Sequence, residues 1–188
     1  MGLLKFTVFR SGYTGEDGVE IIIPAKVASM AMKLIAGKMD KESATIKPAG
    51  LAARDTLRLE AGMPLYGHEL SETLDPISAG LGWAVDLNKD FIGAEALRRI
   101  QETGPKRKLV GLELEGKRIA RQGAPVLADG ETVGEVTSGT LSPTLGKSIA
   151  MAYVAADRAG EGTALSIDLK GTAVPAKVVN LPFYKRQN

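Results

Sequence analysis

The sequence predicts an α+β protein, with a partial α/β portion followed by a C-terminal antiparallel β-barrel of the jelly-roll or Greek-key type. Apolar residues at helical spacing are confined to the first 104 residues. From residue 106 onward, short apolar runs alternate with turn residues, which is typical of a barrel. We therefore expect one domain over residues 1–104 and a second over residues 105–188.

The first element of the N-terminal portion is a hairpin. Residues 5–9 (KFTVF) and 19–23 (VEIII) read as strands because β-branched and aromatic residues dominate them. Residues 11–18 (SGYTGEDG) connect the strands and form a loop long enough to contact a ligand.

Three helices follow in the predicted order. AKVASMAMKLIAGK begins after Pro24, and AGLAARDTLRLEAG, residues 49–62, ends at a natural glycine cap. FIGAEALRRIQETG, residues 91–104, ends at Gly104 before a proline. Between the last two helices we expect a helix start at Asp75-Pro76 and a short strand over residues 83–87. This portion has too few strands to complete a sheet, so it either borrows surface from a partner chain or is part of a larger protein.

The C-terminal portion consists of short strands separated by turns. The apolar runs are KLVGLELEG, GAPVLADGETVGEVTSG, KSIAMAYV, GTALSIDL and TAVPAKVV. Asp129-Gly130 lies between two of these runs and indicates a hairpin turn. We expect residues 106–184 to form the barrel.

Composition and charge exclude several classes of function. A net charge of +2 is too small to indicate nucleic acid or an anionic membrane as a partner. The absence of cysteine excludes disulfides and thiolate metal sites, and a single histidine argues against a zinc site or a histidine-based triad. No apolar run approaches a membrane span and no signal peptide is visible. We expect no metal, and a location in the bacterial cytoplasm or, in a eukaryote, the mitochondrial matrix.

Glu20 is the residue that points most clearly to a ligand. It lies beside three isoleucines, where a carboxylate is costly unless it reaches water or hydrogen-bond donors. Its two oxygens can accept parallel N–H bonds from a ring that carries an amino group beside a ring N–H, as in pterins and guanine. The alternative is a strand residue that faces solvent.

Two further residues could complete a binding site. Tyr13, in the loop before Glu20, could offer a ring face or a hydroxyl, or could simply pack on the surface. Arg54 could hold a carboxylate tail in a bidentate pair, could pair within its helix with Asp55 or Glu60, or could lie on the surface. No nucleophile elbow, phosphate loop or metal-ligand spacing is present, and the catalytic residues remain unknown.

Three segments in order resemble one known family. GYTGEDGVE, KPAGLAARDTLRLEAGMPLYGHEL and TSGTLSPTLGKSIAMAYV resemble the C-terminal part of the aminomethyltransferase, or T protein, of the glycine cleavage system. The resemblance implies a tetrahydrofolate-dependent transfer of the aminomethyl carbon from the lipoyl arm of the H protein, giving 5,10-methylenetetrahydrofolate and ammonia. It also implies that Glu20, Tyr13 and Arg54 bind the folate, with Glu20 on the pterin amino edge.

The resemblance leaves part of the chemistry unassigned. Family members are about twice as long, and their catalytic aspartate lies in the N-terminal half; Asp17, Asp55 and Asp75 do not match it. The expected partners are lipoylated H protein, tetrahydrofolate, and the N-terminal half or a second chain. Two alternatives stay open: another folate-dependent one-carbon enzyme of the same family (a demethylase, or a sarcosine or dimethylglycine dehydrogenase type), and a non-catalytic folate-binding or assembly module.

Overall fold

The computed structural model describes residues 5–36 and 46–186, except for the side chains of residues 35 and 36. The chain divides into two compact units, Met1–Leu57 and Arg58–Asn188, which are described separately. Within the described residues, no helix has both the length and the apolar character needed to cross a membrane.

The first unit contains the predicted hairpin and helices. Strand β1 (Thr7–Phe9) pairs antiparallel with β2 (Glu20–Ile22), which confirms the hairpin. Helix α1 spans Ala25–Ala36, directly after Pro24; the end of the predicted segment lies outside the described residues. Helix α2 spans Leu51–Glu60, so most of its length belongs to this unit.

The β1–β2 hairpin exposes apolar side chains on both of its faces. Val8 pairs with Ile21, and both are 56% exposed; Phe9 pairs with Glu20 and is 46% exposed. Successive residues of a strand point to opposite faces, so neither face of this two-stranded sheet is covered within the described residues. This agrees with the expectation that the N-terminal portion has too few strands to complete a sheet.

The second unit begins with the last turn of α2. That helix ends at Gly62 with a Schellman motif: the N–H of Gly62 donates to the carbonyl of Leu59 (2.9 Å) and the N–H of Met63 to that of Arg58 (2.8 Å). Helix α3 spans Ala94–Thr103 and ends at Gly104, as predicted.

Two local predictions between these helices are wrong. The expected strand over residues 83–87 is instead a 3-10 turn at Gly82–Ala84, because Ala84 and Val85 donate locally to the carbonyls of Leu81 and Gly82. The expected helix after Asp75 is a turn over residues 76–80. Asp75 does act as its cap, since its carboxylate accepts from the N–H groups of Ile77 and Ser78 at 3.0 and 2.8 Å.

Six antiparallel strands close into a barrel, which confirms the predicted fold class. They are β3 (Arg107–Leu114), β4 (Pro125–Ala128), β5 (Glu131–Ser142), β6 (Lys147–Ala155), β7 (Ala164–Asp168) and β8 (Ala173–Val179). The strand order is β3-β6-β5-β4-β7-β8. β4, β5 and β6 are consecutive while β3 pairs with β6, which is a Greek-key connection. Asp129 and Gly130, at φ 53° and 87°, form the predicted β4–β5 turn.

Strand β6 is buried on both of its faces. Ala150, Ala152 and Val154 point into the barrel core. Ile149 and Met151 point outward and pack with Leu59 of α2. Side chains of the C-terminal segment, Leu181 and Phe183, cover the same outer cluster. The barrel therefore has a second apolar layer outside β6, and helix α2 ends against it.

Candidate functional site

The carboxylate of Glu20 lies on β2 at the edge of the Gly-rich loop. Its side chain is 49% exposed, so a ligand in solvent can reach it. The hydroxyl of Ser11 donates to Glu20 Oε2 at 2.8 Å. Nη2 of Arg54 lies 3.8 Å from Glu20 Oε1, close enough for an ion pair but too far for a hydrogen bond. The carboxylate is thus held at one oxygen and faced by a cation at the other.

Arg54 also lies over the ring of Tyr13. Its guanidinium carbon is 5.1 Å from the ring centroid, within the range of a cation–π interaction. Tyr13 is partly buried in the loop, whereas Arg54 is half exposed on α2. The three residues that the sequence singled out, Tyr13, Glu20 and Arg54, therefore form one cluster within the first unit.

The sequence analysis singles out Arg54 but neither Ser11 nor the proximity of Arg54 to Glu20, which lies 34 positions earlier in the sequence. A serine two residues after β1 gives no pattern that marks it as a partner of Glu20. Only the antiparallel pairing of β1 with β2 brings the two side chains together.

A second polar cluster, in the second unit, is buried. Arg58 and Glu69 are 1% and 0% exposed, and Nη1 of Arg58 donates to Glu69 Oε2 at 2.9 Å. Nη2 of Arg58 donates to the hydroxyl of Ser138 at 2.7 Å, and the N–H of Leu65 donates to Glu69 Oε2 at 2.9 Å. These contacts connect the end of α2 to the following loop and to β5, so their role is structural.

His68 is adjacent to this cluster. Its Nδ1 lies 2.9 Å from the carbonyl oxygen of Thr137. A carbonyl can only accept, so Nδ1 carries the hydrogen and donates it. The hydrogen bond to Thr137 of β5 therefore fixes the orientation of the ring.

The segment TSGTLSP, residues 137–143, and Thr144 directly after it also make structural contacts. The hydroxyl of Ser142 donates to Glu60 Oε1, and that of Thr144 donates to Glu60 Oε2 at 2.8 Å. A Cβ added at Gly139 would lie 2.3 Å from the carbonyl oxygen of Ala120, so the backbone passes too close there for any other residue. The segment therefore anchors the last residue of α2 to the barrel.

Tyr153 of β6 is buried next to Glu69. Burial raises its pKa from 10.0 to about 12, helped by the carboxylates of Asp75 and Glu69, while Arg107 opposes the shift. Its hydroxyl donates to the backbone carbonyl of Glu69 at 2.8 Å. Residues 5–36 and 46–186 contain no group of three or more side chains suited to hold a metal ion.

The chain is similar to known proteins along nearly its whole length. A family model described as "GCVT N-terminal domain" matches residues 1–89, and one described as "Glycine cleavage T-protein C-terminal barrel domain" matches residues 107–185. An aminomethyltransferase of Symbiobacterium thermophilum is 48% identical over 98% of this chain and 49% of the relative. One from Exiguobacterium sibiricum is 50% identical over 97% and 49%.

A solved structure gives the same result for the fold. The crystal structure of glycine cleavage system aminomethyltransferase T from Bartonella henselae matches with a TM-score of 0.87 at 38% identity, covering 96% of this chain and 50% of that one. The chain spans about half the length of the relatives it matches. Family models match both portions of the chain, and a solved T-protein structure matches its fold. The chain therefore belongs to the glycine cleavage T-protein family.

Proposed function

We propose that this chain supplies the folate-binding side of a tetrahydrofolate-dependent aminomethyltransferase of the glycine cleavage system. The whole protein would take the aminomethyl carbon from the lipoyl arm of the H protein and form 5,10-methylenetetrahydrofolate and ammonia. The observation that supports this best is the half-exposed Glu20 carboxylate, with Tyr13 and Arg54 beside it. The relatives are bacterial, which favours the cytoplasm as its location.

Glu20 would bind the pterin through a pair of N–H groups. The amino group and the adjacent ring N–H of the pterin are two parallel donors, and a carboxylate accepts such a pair in its own plane. Tyr13 would contact the ring face next to this edge. Arg54 would stay close to the ring or to an anionic group of the folate, because its guanidinium is always charged.

Methylene transfer makes two demands on the protein. The folate amine must meet the incoming carbon in near-attack geometry, and an acid–base group must move protons as ammonia leaves. We assign the first demand to Glu20, Tyr13 and Arg54, and we assign no residue of this chain to the second. By the family resemblance, that group lies in the N-terminal half of the longer relatives.

The domain boundary that we propose lies near residue 105. The barrel begins at Arg107, and the match to the barrel family model begins at the same residue. Residues 1–104 would then complete the folate-binding domain of the longer protein, and residues 105–188 would form a separate domain.

Calorimetric titration with tetrahydrofolate tests the assignment of Glu20. We expect Glu20→Ala to weaken binding by about 1.5–3 kcal/mol, the scale of hydrogen bonds to a charged group. Glu95→Ala is the matched control, because Glu95 is an exposed carboxylate of α3 that pairs with Arg99 and lies in the other unit. Equal affinities of Glu20→Ala and the unsubstituted chain would refute the assignment, as would a folded chain that binds no tetrahydrofolate.

Turnover provides an independent test. Because no residue of this chain is assigned to proton transfer, we expect the 188-residue chain alone to lack normal activity with aminomethyl-loaded H protein and tetrahydrofolate. Formation of 5,10-methylenetetrahydrofolate by the chain alone, at a rate typical of an enzyme, would contradict this division of roles.

A further inference from the structure

We propose that Ser11 is a positioning residue that orients the Glu20 carboxylate for its ligand. The inference rests on the proposed folate-binding function and assigns a role to a residue outside the set Tyr13, Glu20 and Arg54. The hydroxyl of Ser11 donates to Glu20 Oε2 at 2.8 Å, a normal length for an O–H···O bond to a carboxylate.

A carboxylate needs such a partner because the terminal torsion of a glutamate is broad and leaves its plane poorly fixed. Glu20 is half exposed, so packing alone does not hold it. Arg54 approaches the opposite oxygen at 3.8 Å, which supplies attraction without the directionality of a hydrogen bond. Ser11 is therefore the group that sets the rotation of the carboxylate plane.

The bond with Ser11 leaves enough acceptor capacity for a ligand. A carboxylate offers about four lone-pair sites, and the hydroxyl uses one of them on Oε2. An amino group and a neighbouring ring N–H need one site on each oxygen. Fixing the plane in advance lowers the entropy lost on binding, which is the usual gain from a preorganised site.

The pairing of β1 with β2 places Ser11 where it can orient the Glu20 carboxylate. It lies two residues after the end of β1, and β1 is paired with the strand that begins at Glu20. The ladder therefore sets the distance between the two side chains, although they are nine residues apart in sequence.

The test compares Ser11→Thr with Ser11→Val, which have the same shape and differ in the hydroxyl. Binding of tetrahydrofolate is measured by calorimetry, and thermal unfolding confirms that both variants are folded. We expect Ser11→Thr to bind within about twofold of the unsubstituted chain. Ser11→Val should bind about 3- to 10-fold more weakly, the net value of one hydrogen bond.

The same comparison in a Glu20→Ala background separates positioning from a general effect on the loop. If Ser11 acts through Glu20, Thr and Val at position 11 should then bind equally. The proposal is overturned if the Thr–Val difference persists without Glu20, or if it is absent when Glu20 is present. Failure of the folate proposal itself looks different, because the unsubstituted chain or the Glu20→Ala variant alone would reveal it.

Discussion

Replacing Glu69 with alanine would remove a buried carboxylate that pairs with Arg58 and accepts a hydrogen bond from it. The two groups are 1% and 0% exposed and lie 2.9 Å apart. At an effective dielectric of about 20, this distance corresponds to an attraction of roughly 6 kcal/mol before the cost of desolvation. Because Arg58 would keep its bonds to Met63 and Ser138 but lose its buried ion pair with Glu69, we expect the free energy of unfolding to fall by about 3–5 kcal/mol.

Urea unfolding followed by far-ultraviolet circular dichroism measures this loss. The control is Glu113→Ala, which breaks the pair of Glu113 with Lys147: that pair is as short, at 2.8 Å, but its side chains are 34% and 56% exposed. Exposed pairs contribute up to about 1 kcal/mol, so the control should lose far less. A double variant, Arg58→Met with Glu69→Met, should recover part of the loss, because it removes the buried cation together with the carboxylate. Losses of similar size in Glu69→Ala and Glu113→Ala would refute the reasoning.

Three further predictions concern the barrel unit. Gly139→Ala should lower the free energy of unfolding by about 1–3 kcal/mol or more, because the added Cβ would lie 2.3 Å from a backbone carbonyl; Gly82→Ala, where nothing lies within 4 Å, is the control in the same urea assay. Glu60→Gln should cost about 1–3 kcal/mol, seen as a lower melting temperature, since the buried carboxylate accepts two hydroxyls; an unchanged melting temperature would contradict this. The pKa of Tyr153 is raised from 10.0 to about 12 on folding, so the stability it contributes is complete below pH 10 and declines between pH 10 and 12; Tyr153→Phe should show a shallower decline there, and equal slopes would exclude this residue as the cause.

The barrel was predictable because its signals are local. Strand ends coincide with turn residues, and Asp129-Gly130 marks its hairpin whatever surrounds it. The strand predicted at residues 83–87 is wrong because a local sequence pattern carries no information about the rest of the sheet. Trp83 alternates with small and apolar residues, but it is 84% exposed and the backbone is satisfied by bonds within the turn. An alternating pattern of a few residues does not say whether a partner strand exists.

Residue types in the sequence single out Tyr13, Glu20 and Arg54 as candidates, but they do not predict the geometry that joins these residues. The residue types of Glu20, Tyr13 and Arg54 suggested binding, and all three lie together. The contact between Ser11 and Glu20 depends on the register of two strands, and the burial of Arg58 depends on Ser138, which is 80 residues away. The spacing of residues within one segment does not predict contacts with residues so far away in the sequence.

The two sheets found among residues 5–36 and 46–186 differ in their capacity for intermolecular pairing. The barrel closes on itself, so its strands present no open backbone edge to another molecule. The β1–β2 ribbon has unpaired backbone groups along its outer sides within the described residues, and apolar side chains flank them. At high concentration, self-association through added strands should therefore begin at the ribbon, and lysine at position 21 in place of isoleucine should suppress it.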